Sequence, residues 1–160
     1  MPTEILTKWS APVDFSTLTN LNSLEDGNIW QSGEQNDASP TAQLLRIYYE
    51  IVFNATPVSG DSLNFHILGG DEAASNEVWE GGIGTSEGKL TSAATKAAVF
   101  ATSFPVKIHA WQTSHGTTFK GSFTLQDFPP SWQLLVHANG EALASSGHRV
   151  RYQYGVLEAQ

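Results

Sequence analysis

The chain has 160 residues, which suits one domain, and sixteen acidic residues against eight basic ones give it a formal charge of −8. It has no cysteine, so disulfides, thiolate metal sites and cysteine nucleophiles are excluded. The basic residues form no run, which argues against a nucleic-acid surface, and no stretch approaches the ~20 apolar residues of a membrane helix.

Met1-Pro2-Thr3 leads into no apolar segment, so no signal peptide is expected. Residues 1–14 carry Ile5, Leu6, Trp9 and Val13 between Pro2 and Pro12, and they read as an N-terminal arm or an edge strand. Residues 15–160 read as the folded domain. Phe15, Leu18, Leu21 and Leu24 are spaced by three, as in a single helical turn or a winding segment, and Glu25-Asp26-Gly27-Asn28 then turns the chain. A short strand is expected at 29–32, followed by a polar loop from Gly33 to Pro40.

The clearest strand runs from Leu44 to Phe53. Leu45, Ile47, Tyr49, Ile51 and Phe53 share one face, and Leu44, Arg46, Tyr48, Glu50 and Val52 the mixed opposite one, as in a strand that is central or covered by a partner. A strand with Leu63, Phe65 and Ile67 follows and is expected to pair with it. The loop 69–88 is acidic. Ser92 to Ala98 permits a short helix, although Thr91 and Thr95 are poor helix formers. Residues 105–111 read as a strand, with Gly116 marking a hairpin. Period-two alternation then predicts three strands over 119–125, 132–137 and 148–154, separated by the Pro129-Pro130 turn and by Asn139-Gly140. These three are expected to found one sheet. The sum is about eight strands and an all-β, single-domain antiparallel β-sandwich, jelly-roll-like in form. One core is expected to take Ile47, Tyr49, Ile51, Phe65, Phe123, Leu125, Val136, Val150 and Tyr152.

Residues that might carry chemistry are few. Gly84-Thr85-Ser86-Glu87-Gly88 has the spacing of a nucleophile elbow, but no strand–turn–helix context surrounds it, so it reads as a loop. His66, His109, His115, His137 and His148 show no metal-ligand spacing, and the strand histidines read as solvent-facing. Asp71, Glu72, Glu77, Glu80 and Glu87 offer oxygen ligands for calcium but not in the EF-hand pattern, and they read as a solvated loop. Asn54-Ala55-Thr56 is a sequon that Pro57 makes uninformative. Of the five tryptophans, Trp30 and Trp132 suit a core or interface, and Trp79 and Trp111 are the better candidates for exposed platforms. No cofactor, metal or catalytic residue is expected, and the chain reads as a non-enzyme.

Certain stretches resemble the small β-sandwich virion proteins encoded by tailed bacteriophages. They are Val13-Asp14-Phe15, Leu18 with Leu21-Asn22-Ser23-Leu24 to Gly27, and Gly81-Gly82. Phe128-Pro129-Pro130-Ser131-Trp132, and Val136 to Asn139 leading to Ala144 and Gly147, complete the set. The insert from Thr85 to Thr102 departs from the compact pattern. The resemblance implies a structural protein of the virion, of the capsid decoration or cement type. It would bind the major capsid protein or another virion protein as a homo-oligomer, a trimer being expected, with neither nucleic acid nor membrane as partner. Ile5, Leu6, Trp9, Val13, Tyr48 and Val52 are the candidate partner-interface residues. The alternative is a glycan-binding module of a tail fibre or spike, which would show an exposed aromatic pair beside carboxylates in one groove.

Overall fold

The computed structural model describes residues 5–15, 17–36, 41–70, 84, 86–103, 105–112 and 116–159, with the backbone alone described at Ile5 and Ala159. Two antiparallel sheets pack face to face. The first contains β1 (Ile5–Trp9), β11 (Arg149–Ala159), β5 (Leu44–Val52) and β9 (Thr118–Gln126) in that order, with β2 (Val13–Asp14) also paired to β11. The second runs β7 (Gly88–Leu90), β3 (Ile29–Gln31), β10 (Ser131–Asn139), β6 (Ser62–Gly70), β8 (Lys107–Ala110), with β4 (Gln35–Asn36) also on β10. Without the short β2, β4 and β7, the chain visits β1, β3, β5, β6, β8, β9, β10 and β11. It changes sheet at every step except β6 to β8. That is the double Greek-key order of a jelly roll.

This order corrects three expected pairings. The strand at 62–70 does not pair with β5; it crosses to the second sheet and lies between β10 and β8. Residues 107–110 and 118–126 are not a hairpin, because β8 and β9 belong to opposite sheets. The last three strands do not share a sheet: β10 leaves β9 and β11 for the second. The physical reason is the same in each case. Alternation fixes which face of a strand is buried, and a strand in either sheet of a sandwich buries one face equally well. Pro129-Pro130 does turn the chain, and Asp127 takes a positive φ of 52° just before it.

The inner faces meet the expected phase. Leu45, Ile47, Tyr49, Ile51 and Phe53 are buried, as are Leu63, Phe65, Trp132, Leu134 and Val136, and half-buried Phe123 and Leu125 pack against the same core. The segment spaced by threes contributes Phe15, Leu21 and Leu24, all buried. Phe15 stands edge-on to Trp30 and Trp132 with ring centroids 6.0 Å away, and to Tyr152 at 5.2 Å. Tyr49 Oη lies 2.7 Å from His109 Nδ1, joining β5 of one sheet to β8 of the other.

Residues 93–102 form the helix α1 (Ala93–Thr102), which packs on the outer face of the second sheet. Val99 joins Ile29, Leu68 and Leu135 in a second, smaller core there. Lys96 ties the helix to the turn before β3 through Gly27 O at 2.7 Å and Asn28 Oδ1 at 3.2 Å.

Candidate interaction face

The outer face of the first sheet has no second layer among the described residues. Pairing places Arg46, Tyr48, Glu50 and Val52 of β5 beside Gln153, Arg151 and Arg149 of β11, and beside Thr124, Ser122, Lys120 and Thr118 of β9. A polar chain crosses it: Arg46 Nε donates to Thr124 Oγ1 at 3.1 Å, and Tyr48 Oη donates to Gln153 Oε1 at 2.8 Å. Trp9 lies across the sheet above Gly155, where a Cβ would come within 2.9 Å of the indole. The Arg46 guanidinium stacks over that indole, 4.0 Å from its centre. Leu44, at the end of the mixed face, is buried beside Trp9.

The segment 1–14 was open between arm and edge strand. Its described part is an edge strand, since β1 pairs with residues 155–159 and β2 continues on Arg151 and Tyr152. Backbone hydrogen bonding secures it, with Ser10 N donating to Tyr154 O at 2.8 Å. Beyond the Leu44–Gly155 pair, however, β11 has no partner on its other side in β5. Among the described residues, 5–8 and 156–159 therefore extend past the end of β5 as a two-stranded ribbon, with Thr41 and Ala42 lining a depression with Lys8, Val156 and Glu158. Leu6 and Leu157 on it are 45% and 39% exposed, and Val13 is 43% exposed. Gln43 stitches the ribbon's base, its Oε1 accepting from Leu157 N at 3.0 Å.

The candidate interface residues are thus partly assembled. Leu6 and Trp9 share the ribbon and its root, Val13 lies further along the same edge, and Tyr48 sits mid-face. Val52 is separate from them and half-covered, because Gly147 packs on it and Val52 N donates to His148 Nδ1 at 3.2 Å.

At the end of the face opposite the ribbon lies an open depression of about 320 Å³, lined by Pro12, Tyr48, Glu50, Lys120, Arg149 and Arg151 among others. Lys120 Nζ sits 2.8 Å from Glu50 Oε1, and Arg151 Nε 2.5 Å from Asp14 Oδ1. The hydrogen bond and charge of Arg151, helped by Arg149, hold the Asp14 carboxyl below its usual range. Four of the eight basic residues in the chain thus share one face. In sequence they look scattered; their common strand phase was the signal that could have gathered them.

The histidines correct the solvent-facing expectation. His66 is buried, and its Nδ1 lies 3.0 Å from Ser103 Oγ, which in turn donates to Val99 O at 2.8 Å. Phe100 stands between the rings of His66 and His137, at 5.8 and 5.2 Å. Burial, with a contribution from His137, pushes His66 down to about 4, and burial followed by the charge of Lys96 lowers His137. The cause is α1: a sheet face that alternation alone leaves to solvent is covered by a helix from elsewhere in the chain. His109 is half-buried on the inner face, and His148, also half-buried, is lowered by burial. His115 lies outside the described residues.

Ser86 leads into an antiparallel edge strand, β7, rather than out of a strand into a helix. Its main-chain oxygen accepts from Gln31 Nε2 at 3.0 Å. Glu87 is not a solvated ligand in waiting: its carboxylate accepts from Trp30 Nε1 at 2.7 Å and from Asn20 N and Nδ2 at 3.0 and 2.5 Å. Gln31 and Gln133 both donate to Gly84 O, so the loop before β7 is fastened to the sheet beneath it. Asp71, Glu72, Glu77, Glu80, Trp79 and Gly81-Gly82 lie outside the described residues. No group of three or more metal-binding side chains occurs among the described ones. Trp111, one of the two candidates for an exposed platform, is half-buried against the main core, the commoner state of an aromatic.

No protein-family model matches this chain, and no curated protein matches it.

Proposed function

We propose that this protein is a structural component of a bacteriophage virion, a decoration or cement protein that binds the head shell as an oligomer, with a trimer as the expected form. The observation that carries the docking part of this reading is the ribbon of β1 and the end of β11. A two-stranded ribbon is marginal in water by itself. Among the described residues this one extends past the end of β5 with Leu6 and Leu157 exposed, and its root carries the Trp9–Arg46 stack. Trp, Tyr and Arg are the residues that protein interfaces concentrate. The virion assignment rests on the sequence resemblance, and the jelly roll is compatible with it.

The experiment is to mix purified particles lacking the protein with the wild type and with Leu6→Asp, Leu157→Asp and the double variant, and to measure bound copies after sedimentation. Wild-type binding should saturate. The double variant should lose at least about tenfold in affinity, since burying two leucines contributes a few kcal/mol, and its melting should be nearly unchanged. Wild type that fails to bind heads removes the decoration reading. Equal binding by the double variant removes the ribbon from it.

A further inference from the structure

We propose that the Lys120–Arg149–Arg151 end of the outer sheet face is a docking site for an acidic segment of a partner protein, with a partner carboxylate seated against Arg149. The proposal is separate from the ribbon, which lies at the other end of β11, and it holds whichever assembly the ribbon serves.

Charge complementarity is the argument. The face bears Arg46, Lys120, Arg149 and Arg151 against Asp14 and Glu50, an excess of two positive charges. The remaining sequence holds four basic and fourteen acidic residues, so this is a positive patch on a strongly negative molecule. The two acids on the face are already matched, Glu50 by Lys120 and Asp14 by Arg151. Arg149 stands directly across from Glu50 on β11, is exposed, and has no ion-pair partner among the described residues. The depression beside it opens onto the sheet rather than closing into a pocket, and Tyr48 and Pro12 give it apolar walls. A guanidinium at such a rim, with no ion-pair partner among the described residues, can take a carboxylate in fork geometry.

A protein segment fits better than a nucleic acid. A long polyanion would reach beyond the patch toward the rest of a chain whose net charge is ten negative, whereas a few carboxylates on an extended segment need only the patch itself.

The test uses the full chain, isotope-labelled for amide NMR at low salt, titrated with a short peptide alternating Glu and Ser. The same peptide with Gln for Glu, and a polyphosphate chain, serve as comparison probes. The Glu peptide should shift amides at 48–50, 120–121 and 149–151, and added salt should weaken it. Arg149→Glu should lower its affinity about tenfold, the effect of turning an attraction into a repulsion at a surface. Lys89→Glu makes the same charge change on the far sheet and should leave affinity within about twofold. Equal shifts from the Gln peptide, no shifts from the Glu peptide, equal losses in the two variants, or tighter binding of polyphosphate would each overturn the proposal. Should Arg149→Glu fail to fold, the wild-type shift map with the three probes decides alone.

Discussion

Gly121 shows how a single atom is specified by this packing. A Cβ there would lie 2.5 Å from Tyr49 Oη and 2.8 Å from Cζ, because the Tyr49 ring crosses beneath the glycine on its way to His109. Gly121→Ala should therefore displace that ring and cost about 1–3 kcal/mol, the range for an overfilled core. Urea denaturation gives the number, and an unchanged midpoint would show that the ring moves aside freely. Tyr49→Phe should cost less, about 1 kcal/mol, as it removes one hydrogen bond between the sheets and leaves the packing. Burial pushes the Tyr49 hydroxyl up to about 12, so the hydroxyl itself stays protonated near neutrality. At this scale the sequence was readable where alternation ruled. The phase of Tyr49, Phe65, Val136 and Val150 put each into the core correctly. It was not readable at Leu44, His66 and Glu87, because each is engaged by a group distant in sequence: Trp9 and α1 lie over buried Leu44 and His66, and Trp30 and Asn20 donate to the half-buried Glu87 carboxylate.

The elements differ in how firmly they are held. β5 is paired on both sides along most of its length, whereas α1 rests on a small core of four buried residues and has no side-chain cap at Ser92. Val99 is its only buried residue, so Val99→Ala should cost about 1–3 kcal/mol of local stability. Hydrogen exchange would read this directly: amides of α1 and of the 84–92 region should exchange faster while β10 keeps its protection. Equal acceleration in β10 would mean that the helix and the sandwich unfold together. A helix at 92–98 was legible from the alanines, but its role as a cover was not. Hydrophobic spacing in so short and weakly amphipathic a segment does not say which face of which sheet it meets. The same limit explains the misassigned pairings. Period two names the buried face of β6 and β10, and the turns between strands show that the chain reverses, but neither shows that it changes sheet.

The whole molecule should be sensitive to mild acid. His66, His137 and His148 are each lowered chiefly by burial, His66 to about 4 from an ordinary 6.5. The unfolded chain takes up protons at these sites before the folded one does. Their neutral forms thus sustain full stability above about pH 6.5; stability declines as pH falls toward 4, and His66 contributes no further loss below its folded value. The groups facing this cluster sharpen the effect. Lys96 on α1 and the His66–His137 pair all oppose added positive charge; Asp26, in the turn before β3, favours it on His137. Ser103 Oγ, already donating to Val99 O, can accept only the one proton that neutral His66 carries on Nδ1. A proton on the other ring nitrogen gains no such partner among the described residues. Asp14 acts at lower pH with the same sign: its lowered carboxyl adds stability that is lost as pH falls through the carboxylate range, and the effect is small because the Arg151 pair is exposed. Urea midpoints measured from neutrality down to about pH 4 should therefore fall, with the slope reduced in His66→Gln if that variant folds. Exchange at α1 should rise first, since protonation strikes the face that the helix covers. A midpoint that stays level across this interval would mean that the histidines take up protons in the folded state without cost, and that α1 is not held by their neutrality.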